Sequence, residues 1–156
     1  LSEPEGKSRA AAYYYLTKHN EPDFHNGAVL VLSAIIKHVM ASASETELAA
    51  LFYGCKEAIP LRTTLEEMGH QQPGPTPVTT DNTTAVGLTL NTMSPKASKS
   101  MDMRFQWLKC RRAQLLFRYL WAKGVKNRAD YPSKHHSASH HQSVRSSYVM
   151  DRLLPQ

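Results

Sequence analysis

Cysteine is scarce in this chain of 156 residues: there are two, Cys55 and Cys110, and neither belongs to a C-x-x-C pair. That excludes a disulfide framework and a cysteine zinc site, and it fits a reducing compartment. Long apolar runs are missing too. No segment approaches the roughly 20 apolar residues of a membrane helix, and the opening "LSEPEGKS" has no apolar signal-like core, so a soluble protein without a membrane partner is expected. Glycine is thinly spread and forms no phosphate-cradling loop, and no serine or cysteine triad stands out. Negative charge is short as well: 13 acidic residues face 19 lysines and arginines, a net charge of +6, which favours a polyanionic partner such as nucleic acid.

What is present reads as one domain, since the length suits a single core. "AAYYYL" (11–16) has the aromatic content of a strand, and "AVLVLSAIIKHVMAS" (28–42), β-branched in parts, reads as one or two more. A polar turn with Pro22 and Gly27 separates them, which predicts an antiparallel meander. From Ser44 the period changes. Leu48, Leu51, Phe52, Cys55 and Ile59 form one helical stripe, continued by Leu61, Leu65 and Met68 to Gly69, with a kink or break expected at Pro60. "TPVTTD" (76–81) reads as a short strand, "NTTAVGLTL" (82–90) as a helix, and "MDMRFQWLKCRRAQL" (101–115) as another helix with Met103, Phe105 or Trp107, Leu108 and Leu115 as inward positions. "LLFRYLWA" (115–122) is the last strand, followed by a turn at 123–127 and a short helix at 128–136 weakened by Pro132. The strand–helix–strand order predicts a parallel pair and a mixed sheet flanked by helices, an α/β fold.

Three acids fall at informative places: Glu47 in the first turns of the long helix, Asp81 at a strand end and Asp130 after the last turn. Ser42-x-x-Glu45 and Ser44-x-x-Glu47 both fit the capping box, so capping is the plain reading of those glutamates, and Asp81 is also a fair N-cap. If the three carboxylates converge, they repel one another unless a divalent cation neutralises them, and Mg²⁺ suits such oxygen ligands. Glu47 lies on the inner side of its helix, so Glu45 is expected to point more toward solvent. Between Arg104 and Arg128 there are eight basic residues and no acid, interleaved with five aromatics; the aromatics are read as core, and some of the charges, with Arg104, Lys109, Arg111, Arg112 and Lys123 as candidates, as phosphate contacts. Asn82 beside Asp81 is equally an ordinary helix-start residue or a donor to a ribose 2′-hydroxyl. The histidines of "HHSASHH" (135–141) lack both a nearby cysteine and helical ligand spacing, which argues against zinc.

Taken together, S-x-x-E-x-E-L (42–48), T-D-N (80–82) and A-D-x-x-x-K-H-H (129–136), in that order and spacing, resemble the ribonuclease H domain at the end of copia-type LTR-retrotransposon polyproteins. The likeness spans about Ser8 to His141, with 142–156 as a tail. It implies a ribonuclease H-like fold and hydrolysis of the RNA strand of RNA–DNA hybrids during reverse transcription. It further implies two Mg²⁺ ions, or Mn²⁺ in their place, held by a carboxylate cluster that includes Glu47, Asp81 and Asp130. The partners implied are the hybrid and the reverse transcriptase region of the same polyprotein, inside a cytoplasmic retroelement particle. The family's first aspartate has no counterpart here, because residues 1–10 offer only Glu3 and Glu5. The chain therefore reads as beginning just after that aspartate, with the first strand of the fold truncated, and as lacking full activity. The alternative is a catalytically inactive nucleic-acid-binding or structural remnant of a decayed element, for which Pro60 and Pro132 speak as departures from the family pattern.

Overall fold

The computed structural model describes residues 8–17, 27–37, 42–83, 86–87 and 99–149. Strand β1 (Arg9–Tyr14) pairs antiparallel with β2 (Leu30–Ile35), Arg9 opposite Ile35 and Tyr14 opposite Leu30. A long helix α1 (Ala43–Glu67) leads to β3 (Thr76–Thr80), helix α2 (Lys99–Ala113) and β4 (Phe117–Trp121). Two 3₁₀ segments, Gly124–Lys126 and Arg128–Ser133, and a helix α3 (Ala138–Tyr148) complete the order. Strand β4 lies parallel to β3, Thr76 opposite Phe117 and Thr80 opposite Trp121. The domain is thus mixed α/β. The expected single sheet is divided, among the described residues, into an antiparallel pair and a separate parallel pair.

Helix α1 joins the two pairs. Leu48, Leu51 and Cys55 pack with Phe105 and Leu108 of α2 and with Phe117 and Tyr119 of β4. The next residue after Leu48, Ala49, packs instead with Ala10 of β1 and with Ile36. Successive helical residues point about 100° apart, so one helix serves as a wall for both clusters. Each large side chain buried in this way contributes roughly 1.5–3 kcal/mol of transfer free energy. The approach to β1 is close at Gly54, where an added Cβ would lie 3.4 Å from the Ala12 Cβ and where the Tyr14 hydroxyl donates to the Gly54 carbonyl at 2.9 Å.

The ends of α1 follow local chemistry. Ser42 caps it, its hydroxyl accepting from the Glu45 amide at 3.2 Å. Gly69, at φ +86°, closes the other end, with the Gly69 amide on the Glu66 carbonyl and the His70 amide on the Leu65 carbonyl. Arg62 then holds the following loop by donating to the Gln72 and Gly74 carbonyls and to the Thr76 hydroxyl, which delivers the chain to β3.

Several expectations are corrected. Of the kink or break expected at Pro60, the break does not occur, since the helix runs through; Pro60 is exposed, so its ring sits away from the packed face. Met103 and Leu115 are 76% and 69% exposed rather than inward. Met103 precedes the stretch of α2 that meets the core, and Leu115 lies past the helix end at φ 58°. The helix expected at 128–136 is a 3₁₀ segment that accommodates Pro132, and α3 arises where no element was expected, capped by the Ser137 hydroxyl. Of the helix expected at 82–90, the Val86 amide donates to the Asn82 carbonyl at 3.2 Å, a bond of helical spacing, while residues 84–85 and 88–90 lie outside the described residues. Also outside them are the turn at 18–26, the continuation of the second strand over 38–41, the loop 91–98, Glu3, Glu5 and the tail from 150 onward.

Candidate functional site

Asp81 follows the last residue of β3, where the parallel pair opens into loops, the usual place for a ligand crevice in such sheets. Its surroundings are fixed from several directions. The Trp121 indole donates to the Asp81 backbone carbonyl at 3.0 Å, and the Asn127 carboxamide donates to Asp81 Oδ1 at 3.3 Å. Gly124 lies against the other oxygen, where an added Cβ would come within 3.1 Å of Asp81 Oδ2. A side chain at 124 would crowd the carboxylate, and glycine leaves its second oxygen room.

Glu47 faces this carboxylate from α1. Because the helix is capped at Ser42, the acid of the capping pattern is Glu45, and Glu47 is left out of the cap. Burial by its neighbours raises the Glu47 pKa above the ordinary carboxylate value, the negative charge of Asp81 raises it further, and a hydrogen bond with the Asn82 side chain opposes both. Asn82 is buried, 7% exposed, and its backbone amide donates to the Thr80 hydroxyl. Its side chain therefore serves Glu47, a role the sequence reading did not assign. The expected contrast between the two glutamates is reversed: Glu47 is exposed and Glu45 half-buried. Glu47 lies just before Leu48, where the packed stretch of α1 begins, so solvent meets one side of it while Asp81 and Asn82 act on it.

Asp130 stands one step away. Both its oxygens are engaged by the Lys134 ammonium, at 2.6 and 2.7 Å, and its charge acts on the Tyr148 hydroxyl. Asn127 connects it to Asp81: the Asn127 side chain reaches Asp81 while its backbone carbonyl accepts from the Asp130 amide at 3.0 Å. The same side chain caps the 3₁₀ segment through the Ala129 amide. The fold thus brings Glu47, Asp81 and Asn82 together and holds Asp130 on the adjoining turn, paired with a cation. Among the described residues no group of three or more histidines, cysteines, aspartates or glutamates is placed to hold a metal ion. The sequence signal for Asn127 was its position three before Asp130, the spacing of a helix-start cap.

The basic candidates are split. On α2, Arg104 lies over the rings of Phe52 and Tyr53 at 5.9 and 5.7 Å, Lys109 over Phe105 at 5.3 Å, and Arg111 over Trp107 at 5.0 Å. These three and Arg112 are half-buried, whereas Lys123 is exposed. Phe105, Phe117 and Tyr119 are core, as expected of the aromatics, but Trp121 is 48% exposed. Three of the four histidines of that stretch form a ring cluster around Tyr131: His136 stacks on it at 4.9 Å, His140 stacks on His136 at 4.3 Å, and the His141 ring meets the Tyr131 hydroxyl. Among the described residues no helix is long and apolar enough to cross a membrane. No family model, no curated protein and no solved structure matches this chain.

Proposed function

We propose that the chain is a ribonuclease H-like domain of a copia-type retroelement polyprotein, hydrolysing the RNA strand of RNA–DNA hybrids with divalent cations held by Glu47, Asp81 and Asp130. The observation that carries this reading is the Glu47–Asp81 pair at the end of a parallel strand, where one acid raises the pKa of the other. Two carboxylates set against each other in a protein of charge +6 form an oxygen-only donor set that Mg²⁺ or Mn²⁺ would relieve. The element order supports the fold half of the proposal, with an antiparallel pair, a long helix and then a parallel pair whose second strand follows another helix.

In this reading the protein's contribution is placement. Asn82 orients Glu47, Asn127 orients Asp81, the Trp121 indole fixes the backbone at Asp81, and Gly124 leaves space at Asp81 Oδ2. Asp130 joins when Lys134 yields it. Bound divalent ions would supply a more acidic water and stabilise charge on the departing 3′ oxygen. The RNA strand is selected by its 2′-hydroxyls. The hybrid and the reverse transcriptase region of the same polyprotein are the partners, with the cytoplasmic particle as the setting.

The test follows Mn²⁺ by paramagnetic broadening in NMR spectra alongside cleavage of a hybrid labelled on its RNA strand. Broadening should concentrate on the side-chain amides of Asn82 and Asn127 and on the Trp121 indole. Asp81→Asn should remove it together with any Mn²⁺-dependent cleavage. Broadening centred on the histidine cluster, or none at the three reporters, would sink the metal assignment. The second reading, a non-catalytic remnant that binds nucleic acid, is favoured by the Lys134–Asp130 pair, which already neutralises one acid. It predicts hybrid binding without localised broadening.

A further inference from the structure

Most of the cations expected to meet phosphates on α2 also have contacts within the fold. Arg104, Lys109 and Arg111 lie over aromatic rings, and Arg111 also donates to the Gln114 side chain at 2.6 Å. Moving these charges to a ligand would give up those contacts. Cations at the end of β4 are placed differently. Lys123 and Lys126 are exposed, and among the described residues neither is paired with a carboxylate or laid on a ring. Just before them at the end of β4 stands Trp121, 48% exposed and next to Leu120 at 38%. Its ring is not free to swing, because its N–H is anchored on the Asp81 carbonyl. A large aromatic surface held in solvent by a hydrogen bond is pre-organised, so little rotamer freedom is lost on binding. The nearby acids are Asp81, whose carbonyl holds the indole, and Glu47 beside it.

We propose that this edge, Trp121, Lys123 and Lys126, holds an unpaired stretch of nucleic acid next to the carboxylates, with the indole stacked on a base and the two cations on flanking phosphates. Charge complementarity selects the polyanion, since eight basic residues and no acid lie between 104 and 128. The exposed indole selects a ligand with an accessible base face, which a single strand offers and a paired duplex does not. The inference rests on the nucleic-acid part of the function proposed above and moves the contact from α2 to the β4 edge.

Binding is measured by anisotropy of labelled 12-mer RNA and DNA single strands, a blunt hybrid and a hybrid with a single-stranded overhang, all in EDTA so that no metal site takes part. Single strands and the overhang hybrid should bind more tightly than the blunt hybrid. Trp121→Ala should weaken them about ten-fold or more, the loss of one stacked base, while Trp121→Phe retains most of the affinity. Lys123→Gln with Lys126→Gln should lower the salt slope by about two, and Arg104→Gln with Lys109→Gln should leave it in place. Far-ultraviolet circular dichroism confirms that each variant is folded. Equal binding of heparin and oligonucleotide with no effect of Trp121→Ala, or a slope lost only in the α2 variant, would overturn the proposal. Failure of the Mn²⁺ test leaves this binding unaffected, and failure here leaves the Mn²⁺ result standing, so the two readings fall separately.

Discussion

Glu47 shows how much a single side chain depends on its neighbour. Its carboxyl holds a proton more tightly in the folded chain than in the unfolded one, chiefly through burial and then through Asp81. A raised acid pKa means that the folded state binds more protons, so stability falls as pH rises from the unfolded value toward the folded one. Above that window the charge of Glu47 is a standing cost. Glu47→Gln should therefore raise the Tm at pH 7, and the gain should vanish near pH 3.5, where the wild-type carboxyl is protonated as well. Added Mg²⁺ should narrow the gap at pH 7 by stabilising only the wild type, and thermal melts at the two pH values with and without Mg²⁺ check both parts. A Tm that drops at pH 7 would mean that the hydrogen bond with Asn82 outweighs the repulsion. The residue scale also explains Asn82 itself: placed after Asp81 in sequence, it is buried under Glu47 in space.

At the scale of elements, the two longest helices end in the same way with different residues. Both close with the reciprocal pair of hydrogen bonds that requires a left-handed residue, Gly69 after α1 and Leu115 after α2. Glycine adopts that conformation freely, and leucine does so at a cost of roughly 1–2 kcal/mol. Leu115 is largely exposed, so its side chain returns little by packing. Leu115→Gly should stabilise the protein by about 1 kcal/mol in urea unfolding, whereas Gly69→Leu should destabilise it by a similar amount. Pro60 poses the complementary case, since inside a helix it removes one amide donor and presses on the preceding turn. Because Pro60 is exposed and α1 continues past it, Pro60→Ala should add about 1 kcal/mol or more. A loss of stability would show that the proline shapes how α1 meets both strand pairs.

For the whole molecule, burial across α1, α2 and β4 fixes the proton-binding groups of the core. Cys55 is fully buried, which pushes its thiol up to about 12, with a bond to Tyr119 pulling the other way. Burial likewise raises the hydroxyls of Tyr14 and Tyr119 well above their ordinary range. The folded state keeps protons that the unfolded chain releases from about pH 9 for the thiol and about pH 10 for the phenols, so stability should fall steadily above pH 9. Urea midpoints at pH 8, 9, 10 and 11 measure this, and a flat profile would mean that these groups are solvated. The same burial predicts that a thiol reagent labels exposed Cys110 rapidly in the native protein and Cys55 only on unfolding.

The sequence by itself determined what depends on neighbours along the chain. The apolar stripe from Leu48 to Ile59 specified α1, Ser42 and Gly69 its ends, and the alternation of Phe117 and Tyr119 with Arg118 and Leu120 the inward face of β4. Strand type followed as well, since the polar stretch with Pro22 and Gly27 predicts an antiparallel pair and the strand–helix–strand order a parallel one. Tertiary structure decided what depends on residues far apart in sequence. The division of the strands into two pairs, the meeting of Glu47 with Asp81, the reach of Asn127 across to Asp81 and the laying of Arg104 on Phe52 and Tyr53 are all contacts between separate elements. Period and capping fix a backbone within a few residues, whereas the direction of a charged side chain at the rim of a core is set by the rings, carboxylates and carbonyls that packing places beside it.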